Sequence, residues 1–371
     1  MLDLINAIYA YGLIFILFLV YRIPAKYFFV IVVHLLLVFL TNGVLFPAEY
    51  MPDQFRYIYV ASSIRESGVN LSIYKDFDIN NSSNVSNSTL FFALFPIPFL
   101  NSIHSISIIN FILYSLIFIY LYRKKILTDL SAWFYLFFPS LALYSAIGGR
   151  DIVILFIMIL SFYQVYRGNF KTSVIVAIPL LFIKFQNFIL YLIPLLFYLL
   201  IKKYNPKKQL QIVLLLILAI ILIFSTLPFD LLNKINSIRF TMFIDNGGIE
   251  VEYNHLNSNI DIIRYALTGF FHALLSPLPW NINGRLQFIQ CIENIIIFVI
   301  IMIIAKNLIK INDKFKYLLF GYLAIHLSVY GLVVSNYGTL ARYKFPFILI
   351  FIIFSIKIIN DEKIKKISKI F

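Results

Sequence analysis

Apolar residues run along this chain in blocks of roughly 20, separated by short polar clusters. About 20 residues of helix cross a bilayer core about 30 Å thick. The blocks predict eleven membrane spans, near residues 2–20, 27–47, 102–122, 131–148, 151–166, 172–184, 187–201, 209–228, 286–306, 316–335 and 343–358. The stretch 172–201 has room for one long span, but Pro179, Lys184, Gln186, Asn187 and Pro194 favour a tight pair. Residues 89–100 are too short to cross, and Pro96 and Pro98 predict a re-entrant or broken lead into the third span. Two longer segments remain, 48–88 and 229–285. In the second, Ile260, Ile263, Ala266, Leu267, Phe270 and Leu274 recur at helical spacing and predict an amphipathic surface helix over 258–275. Neither segment is long enough to bury the core of a soluble domain. The expected fold is all-α: one polytopic integral membrane helix bundle over residues 1–371, with one large late external loop.

Composition supports this class. Of 371 residues, 61% are hydrophobic and only 13% charged, and the mean hydropathy is +0.89. No soluble domain hides that much apolar surface. The formal net charge of +14 raises the question of nucleic acid. The basic residues, however, sit in short clusters between spans, so membrane orientation explains them and no nucleic-acid partner is expected. With eleven spans, Arg22, Lys26, Arg123, Lys124, Lys125, Arg167, Lys171, Lys202, Lys203, Lys207, Lys208, Lys306, Lys310, Lys314, Lys316, Lys357, Lys363, Lys365, Lys366 and Lys369 all fall on one side. Cation bias makes that side the cytoplasm, with the N-terminus outside and the C-terminus inside. A single cysteine, Cys291, permits no intrachain disulfide and no cysteine metal cluster. Asp3 stands where a signal peptide would be basic, so the first apolar run is read as a span.

Arg150, Lys184, Arg264, Arg285 and Arg342 lie on the other side, beside apolar runs. Charges at membrane depth cost about 2.5–3.5 kcal/mol on insertion scales and usually line a cavity. Each has an ordinary explanation as an interfacial anchor or, for Arg150, an ion pair with Asp151. The functional explanation is an anion held at the outer mouth of the bundle, for which the guanidinium fork suits phosphate or carboxylate. Arg342 and Lys344 are expected to open the last span after a turn at Gly338, with Pro346 in the first helical turn. A cation there opposes the helix dipole, and a shared anion would relieve the conflict. Ser276–Arg285 carries Pro277, Pro279 and Trp280 at the interface and leads into a span bearing Glu293, which is either paired with an arginine or protonated. Asp53, Glu252, His255 and His272 lie outside and are available as general bases, none singled out by spacing. His34 and His326 read as core polar groups.

Pro277–Trp280 ahead of the span with Glu293, the segment Asn336–Pro346, the early Pro52–Tyr57 and the eleven-span layout with its late external loop resemble Wzy-type oligosaccharide repeat-unit polymerases. The layout covers most of the chain, the motifs only short stretches of it. The resemblance implies a Gram-negative inner-membrane enzyme of O-antigen or capsule assembly, which is part of lipopolysaccharide or polysaccharide biosynthesis. It would move a growing glycan from undecaprenyl pyrophosphate to the non-reducing end of a new lipid-linked unit at the periplasmic face. It would need neither metal nor cofactor, and a chain-length regulator is an expected partner. Arg150, Arg285 and Arg342 match the arginines that act on pyrophosphate. Asp53, Arg56, Lys184, Arg264, His272, Trp280, Glu293 and Lys344 complete the candidate site. Developing charge on the leaving diphosphate is what such a site has to stabilise.

Two rival classes remain. A metal-dependent lipid-sugar glycosyltransferase would use acids in the first external loop, where Asp76 and Asp78 have the spacing and Asp53 stands nearby. A lipid-glycan flippase would show internal symmetry and mid-membrane charge, and the sequence shows neither. Asn81, Asn84 and Asn87 match glycosylation acceptors only because they lie in an Asn/Ser run. No nucleotide-binding, serine-hydrolase or zinc-peptidase motif occurs.

Overall fold

The computed structural model describes residues 1–67, 83–204, 211, 229–245 and 255–367, and its regular structure is helical. Asp76, Asp78, the start of the Asn/Ser run at 80–82, Glu252 and, apart from residue 211, the predicted span 209–228 lie outside the described residues. The chain divides into two compact units, Met1–Ile189 and Leu190–Phe371.

The first unit is built on α5 (Ile103–Arg123), which packs against α1 (Leu2–Val20), α2 (Ala25–Thr41), α3 (Asp53–Ser67), α6 (Asp129–Phe137), α7 (Pro139–Ser145) and α8 (Asp151–Tyr166). It is buried over 83% of its apolar window, against 28% for α1, so α5 is the axis and α1 faces outward. α4 (Ser83–Leu94) ends ahead of a non-helical stretch, and α9 (Phe170–Ala177) and α10 (Pro179–Ile183) follow α8. The predicted lead into the third span is therefore broken, as Pro96 and Pro98 require. Arg65 holds it by donating to the carbonyls of Ala93 (3.1 Å), Phe95 (2.6 Å) and Ile97 (2.9 Å).

Hydrogen bonds sort the loops of this unit onto two ends. At one end Arg123 reaches the Tyr21 hydroxyl (3.3 Å), Lys26 and Tyr27 both bond Asp129, and Lys124 stands over the Tyr163 ring. At the other, Asp3 accepts from Ser102 (2.6 Å), Asn6 pairs with the backbone of Phe99, and Thr41 bonds the Ala146 carbonyl (3.2 Å). The basic clusters at 22–26, 123–125 and 167 thus share one end, as alternation of the spans requires. Three helices stop there in the same way. After α1, α5 and α8 the residues Arg22, Lys125 and Gly168 take positive φ (51°, 56° and 82°). The next N–H in each case returns to a carbonyl five residues back: Ile23 to Phe18, Ile126 to Leu121, Asn169 to Gln164. This is the left-handed cap that satisfies the last carbonyls of a helix.

α11 (Phe185–Lys203) begins in the first unit and ends in the second. The second unit further contains α12 (Phe229–Asp245), α13 (Asn259–Leu275), α14 (Arg285–Ile309), α15 (Phe315–Val333) and α16 (Tyr337–Ile367). α13 is the predicted amphipathic helix, but it does not only cover the surface. It crosses α15 so closely that a Cβ on Gly269 would stand 2.7 Å from the backbone carbon of Gly331.

Among the described residues, six helices are long and apolar enough to cross a membrane: α1, α5, α11, α14, α15 and α16 up to Ile364; α2, α8 and the α9–α10 run are shorter apolar segments. The predicted span 131–148 is split into α6 and α7, because Pro139 has no N–H to carry a helix through. The tight-pair reading of 172–201 matches the break at Lys184, which separates α10 from α11. The last span differs from expectation. Asn336 caps α16, its side chain accepting from the Thr339 N–H (2.9 Å), so Gly338 is helical rather than a turn. Arg342 and Lys344 therefore lie in the second and third turns, and Pro346 lies well inside the helix.

Candidate functional site

Two polar clusters carry the candidate residues, one in each unit. In the first, the Gly148-Gly149-Arg150 turn between α7 and α8 is fixed from two helices. Asn110, midway along α5, donates to the carbonyls of Ile147 and Gly149, both at 2.7 Å. Gln54 of α3 accepts from the Gly148 N–H (3.0 Å) and pairs amide to amide with Asn42, both bonds 3.0 Å. A Cβ at Gly148 would stand 3.3 Å from the Ile103 carbonyl oxygen and 3.4 Å from Gln54, a tight fit that glycine relieves.

This turn places Arg150 at the N-cap of α8, and Nη1 donates to the Ile183 carbonyl at 3.0 Å. The next residue is Lys184, buried, which closes α10 through its N–H to Leu180 (2.8 Å) and starts α11 by accepting from the Asn187 N–H (2.9 Å). Arg150 and Lys184, separate in sequence, thus stand at neighbouring helix starts. Asp151 is buried beside them. Arg56 lies half-buried in the first turn of α3, and Asp53 opens that helix on the surface.

The second cluster joins α13, α14 and α16. Lys344 is buried and donates to the Ala273 carbonyl (2.8 Å) and Asn294 Oδ1 (2.7 Å). Asn294 Nδ2 donates to the Ser276 carbonyl (2.6 Å), and Ser276 Oγ bonds His272 Nδ1 (2.9 Å). Buried Glu293 is an electrostatic partner of Lys344, a lysine where an arginine was expected. Gln290 donates to the Tyr337 carbonyl (2.9 Å), and Asn281 reaches the Tyr337 hydroxyl (3.4 Å). His272 is half-buried. Burial first, then the Lys344 charge, holds its imidazole below the ordinary value.

The structure therefore unites His272, Glu293 and Lys344, and separately Arg150 with Lys184. The other candidates stand apart. Arg285 is exposed at the first position of α14, Trp280 is 77% exposed on a short turn, and Arg264 is exposed on α13 within reach of Asp261. Arg342 is half-buried, and His255 is exposed. Sequence reasoning gave no site role to Asn42, Gln54, Asn110, Ser276 and Asn294, which position both clusters. A signal for two of them was present: Asn110 and Asn294 interrupt apolar spans, where an amide needs partners. Among the described residues, no group of three His, Cys, Asp or Glu could hold a metal.

The fold and its apolar helices define a helical, membrane-embedded protein. No family model, curated protein or solved structure matches it.

Proposed function

We propose that this protein is a glycosyltransferase that polymerises lipid-linked oligosaccharide repeat units, moving the glycan from undecaprenyl pyrophosphate to a new lipid-linked acceptor. One observation carries the reading: Arg150 at the start of α8 donates to the carbonyl of Ile183 (3.0 Å), the residue before buried Lys184, which precedes α11. Helix starts carry positive partial charge and orphan N–H groups. Placing two cations there gathers attraction for an anion, and a diphosphate is the anion on such a donor. Arg285, first in α14, repeats the arrangement. Stabilising charge on a leaving diphosphate is worth several kcal/mol when donors are fixed in advance, and the amides of Gln54 and Asn110 fix the Arg150 turn.

The test is reconstitution in liposomes with undecaprenyl-pyrophosphate-linked oligosaccharide. Wild type should build a ladder of products. Arg150→Ala and Arg342→Ala should each lose about 10²-fold or more in rate while keeping expression and thermal unfolding midpoint. Lysine at 150 should not rescue, since a point charge lacks the bidentate fork. Wild-type ladders from both alanine variants, or an inert wild-type protein, would overturn the proposal.

A further inference from the structure

The polymerase reading leaves the acceptor without a base. A hydroxyl that attacks an anomeric carbon has to shed its proton, and fixed arginines cannot take it. From the second cluster we infer that His272 is the general base, with Ser276 setting its tautomer; this rests on that reading.

The geometry assembles what a base needs. Ser276 follows α13, and its N–H returns to the His272 carbonyl (2.9 Å), so the hydroxyl sits beside the ring of the last helical turn. Ser276 Oγ and His272 Nδ1 are 2.9 Å apart. When Nδ1–H donates to that oxygen, Nε2 is left as the accepting nitrogen. The serine is itself fixed, since Asn294 Nδ2 holds its carbonyl at 2.6 Å and Asn294 Oδ1 is taken by Lys344 at 2.7 Å. Each link comes from a different helix, so the imidazole is tied to α14 and α16 as well as its own element.

The surrounding charge favours neutral imidazole. α16 contributes Tyr337, whose ring centroid lies 6.1 Å from that of His272, together with Arg342 and Lys344. α14 contributes Glu293. α15 carries Lys316 at the far end and His326, and α12, packed on α13 through Leu232 and Ile262, places Arg239 5.3 Å from the Tyr265 ring. The Lys344 charge opposes a second positive charge on the ring. Half-burial leaves the ring partly accessible.

The step balances. The acceptor oxygen forms a bond to the anomeric carbon while its proton passes to Nε2. The bond from that carbon to the diphosphate oxygen breaks, and its electron pair leaves with the diphosphate. Deprotonation of the imidazolium by solvent restores the base.

The experiment is the pH dependence of the initial polymerisation rate in proteoliposomes. In wild type, kcat/KM should rise with pH along an acid limb whose midpoint lies below the usual histidine value of about 6.5. His272→Gln should lose about 10²–10⁴-fold in kcat and lose that limb, while KM for the acceptor stays within about twofold. His272→Ala should recover part of its rate with added imidazole. Ser276→Ala should lower kcat with little change in KM. An unaltered acid limb in His272→Gln would refute the base while leaving the polymerase reading intact. A wild-type protein that builds no polymer would remove both. Loss of rate in His272→Gln with the limb retained, or loss of thermal stability in step with loss of rate, would assign His272 a structural role and end the proposal.

Discussion

At the scale of single residues, the arginines near helix termini separate by the helix end they occupy. Arg65 donates to three carbonyls at and beyond the end of α4, and Arg239 donates to the Leu332 carbonyl near the end of α15 (3.0 Å). Both complement the negative end of a helix, which a cation stabilises. Arg285 stands at a helix start, where it opposes the dipole, and Arg150 does both, capping the start of α8 while Nη1 donates to the carbonyl of Ile183, the last residue of α10 (3.0 Å). Charge bias along the sequence does not contain this distinction. The start of α13 shows the opposite case, an acid where an acid belongs. Ser258 Oγ accepts from the Asp261 N–H (3.3 Å), and Asp261 accepts from the N–H groups of Ser258 (2.9 Å) and Asn257 (3.0 Å). Ser258→Ala should cost about 0.5–2 kcal/mol, read from thermal unfolding in detergent. The hydrogen bonds of Ser258, side chain first, hold the Asp261 carboxyl below its ordinary range. A carboxylate depressed in the folded state stabilises above its unfolded pKa, and the effect is lost as pH falls through the folded value. Asp261→Asn should therefore be less stable than wild type at pH 7, and the gap should close in acid below about pH 4. A gap that stays constant from pH 7 to pH 3 would remove the carboxylate from the cap.

At the scale of elements, the long apolar helices were legible because twenty apolar residues have few other places to go. What was not legible depended on single residues. Pro139 splits one predicted span and Pro194 does not split α11. A hydropathy window registers neither fact. Pro194 lies against Gly321 of α15, whose Cβ would be 3.8 Å from the proline ring. The start of α16 was misplaced because Gly338 has the chemistry of a turn, while Asn336 has the equally local chemistry of a cap. α3 and α12 went unread because their buried faces combine with polar anchors, Gln54 and Asn236, rather than a continuous apolar stripe. The candidate site was half legible: charges announce themselves, while the amides that aim them do not. The α13–α15 crossing gives a direct test. A Cβ at Gly331 would overlap the Gly269 carbonyl group. Gly331→Ala should destabilise by about 1–3 kcal/mol or more, and Gly331→Leu should abolish folded yield. An unchanged midpoint for Gly331→Ala would show that the helices can part at no cost.

At the scale of the whole molecule, the first unit makes a topological prediction. Asn101 and Asn169 are both exposed and lie at opposite ends of that unit. The chain has one cysteine, buried Cys291, so a cysteine-free background is one substitution away. Asn101→Cys should react with a membrane-impermeant maleimide in intact cells, and Asn169→Cys only after permeabilisation. Labelling of both from one side would break the alternation on which the span assignment stands. The three identical helix stops bear on how such a chain enters a membrane. At Arg22 and Lys125 the residue that bends the backbone left-handed also carries a cation of the basic end; at Gly168 the two are divided, since Arg167 stands beside it. Glycine would relax the backbone at 22 and 125 but would thin the positive charge gathered at that end, so a single substitution there would act on local strain and on cation bias at once.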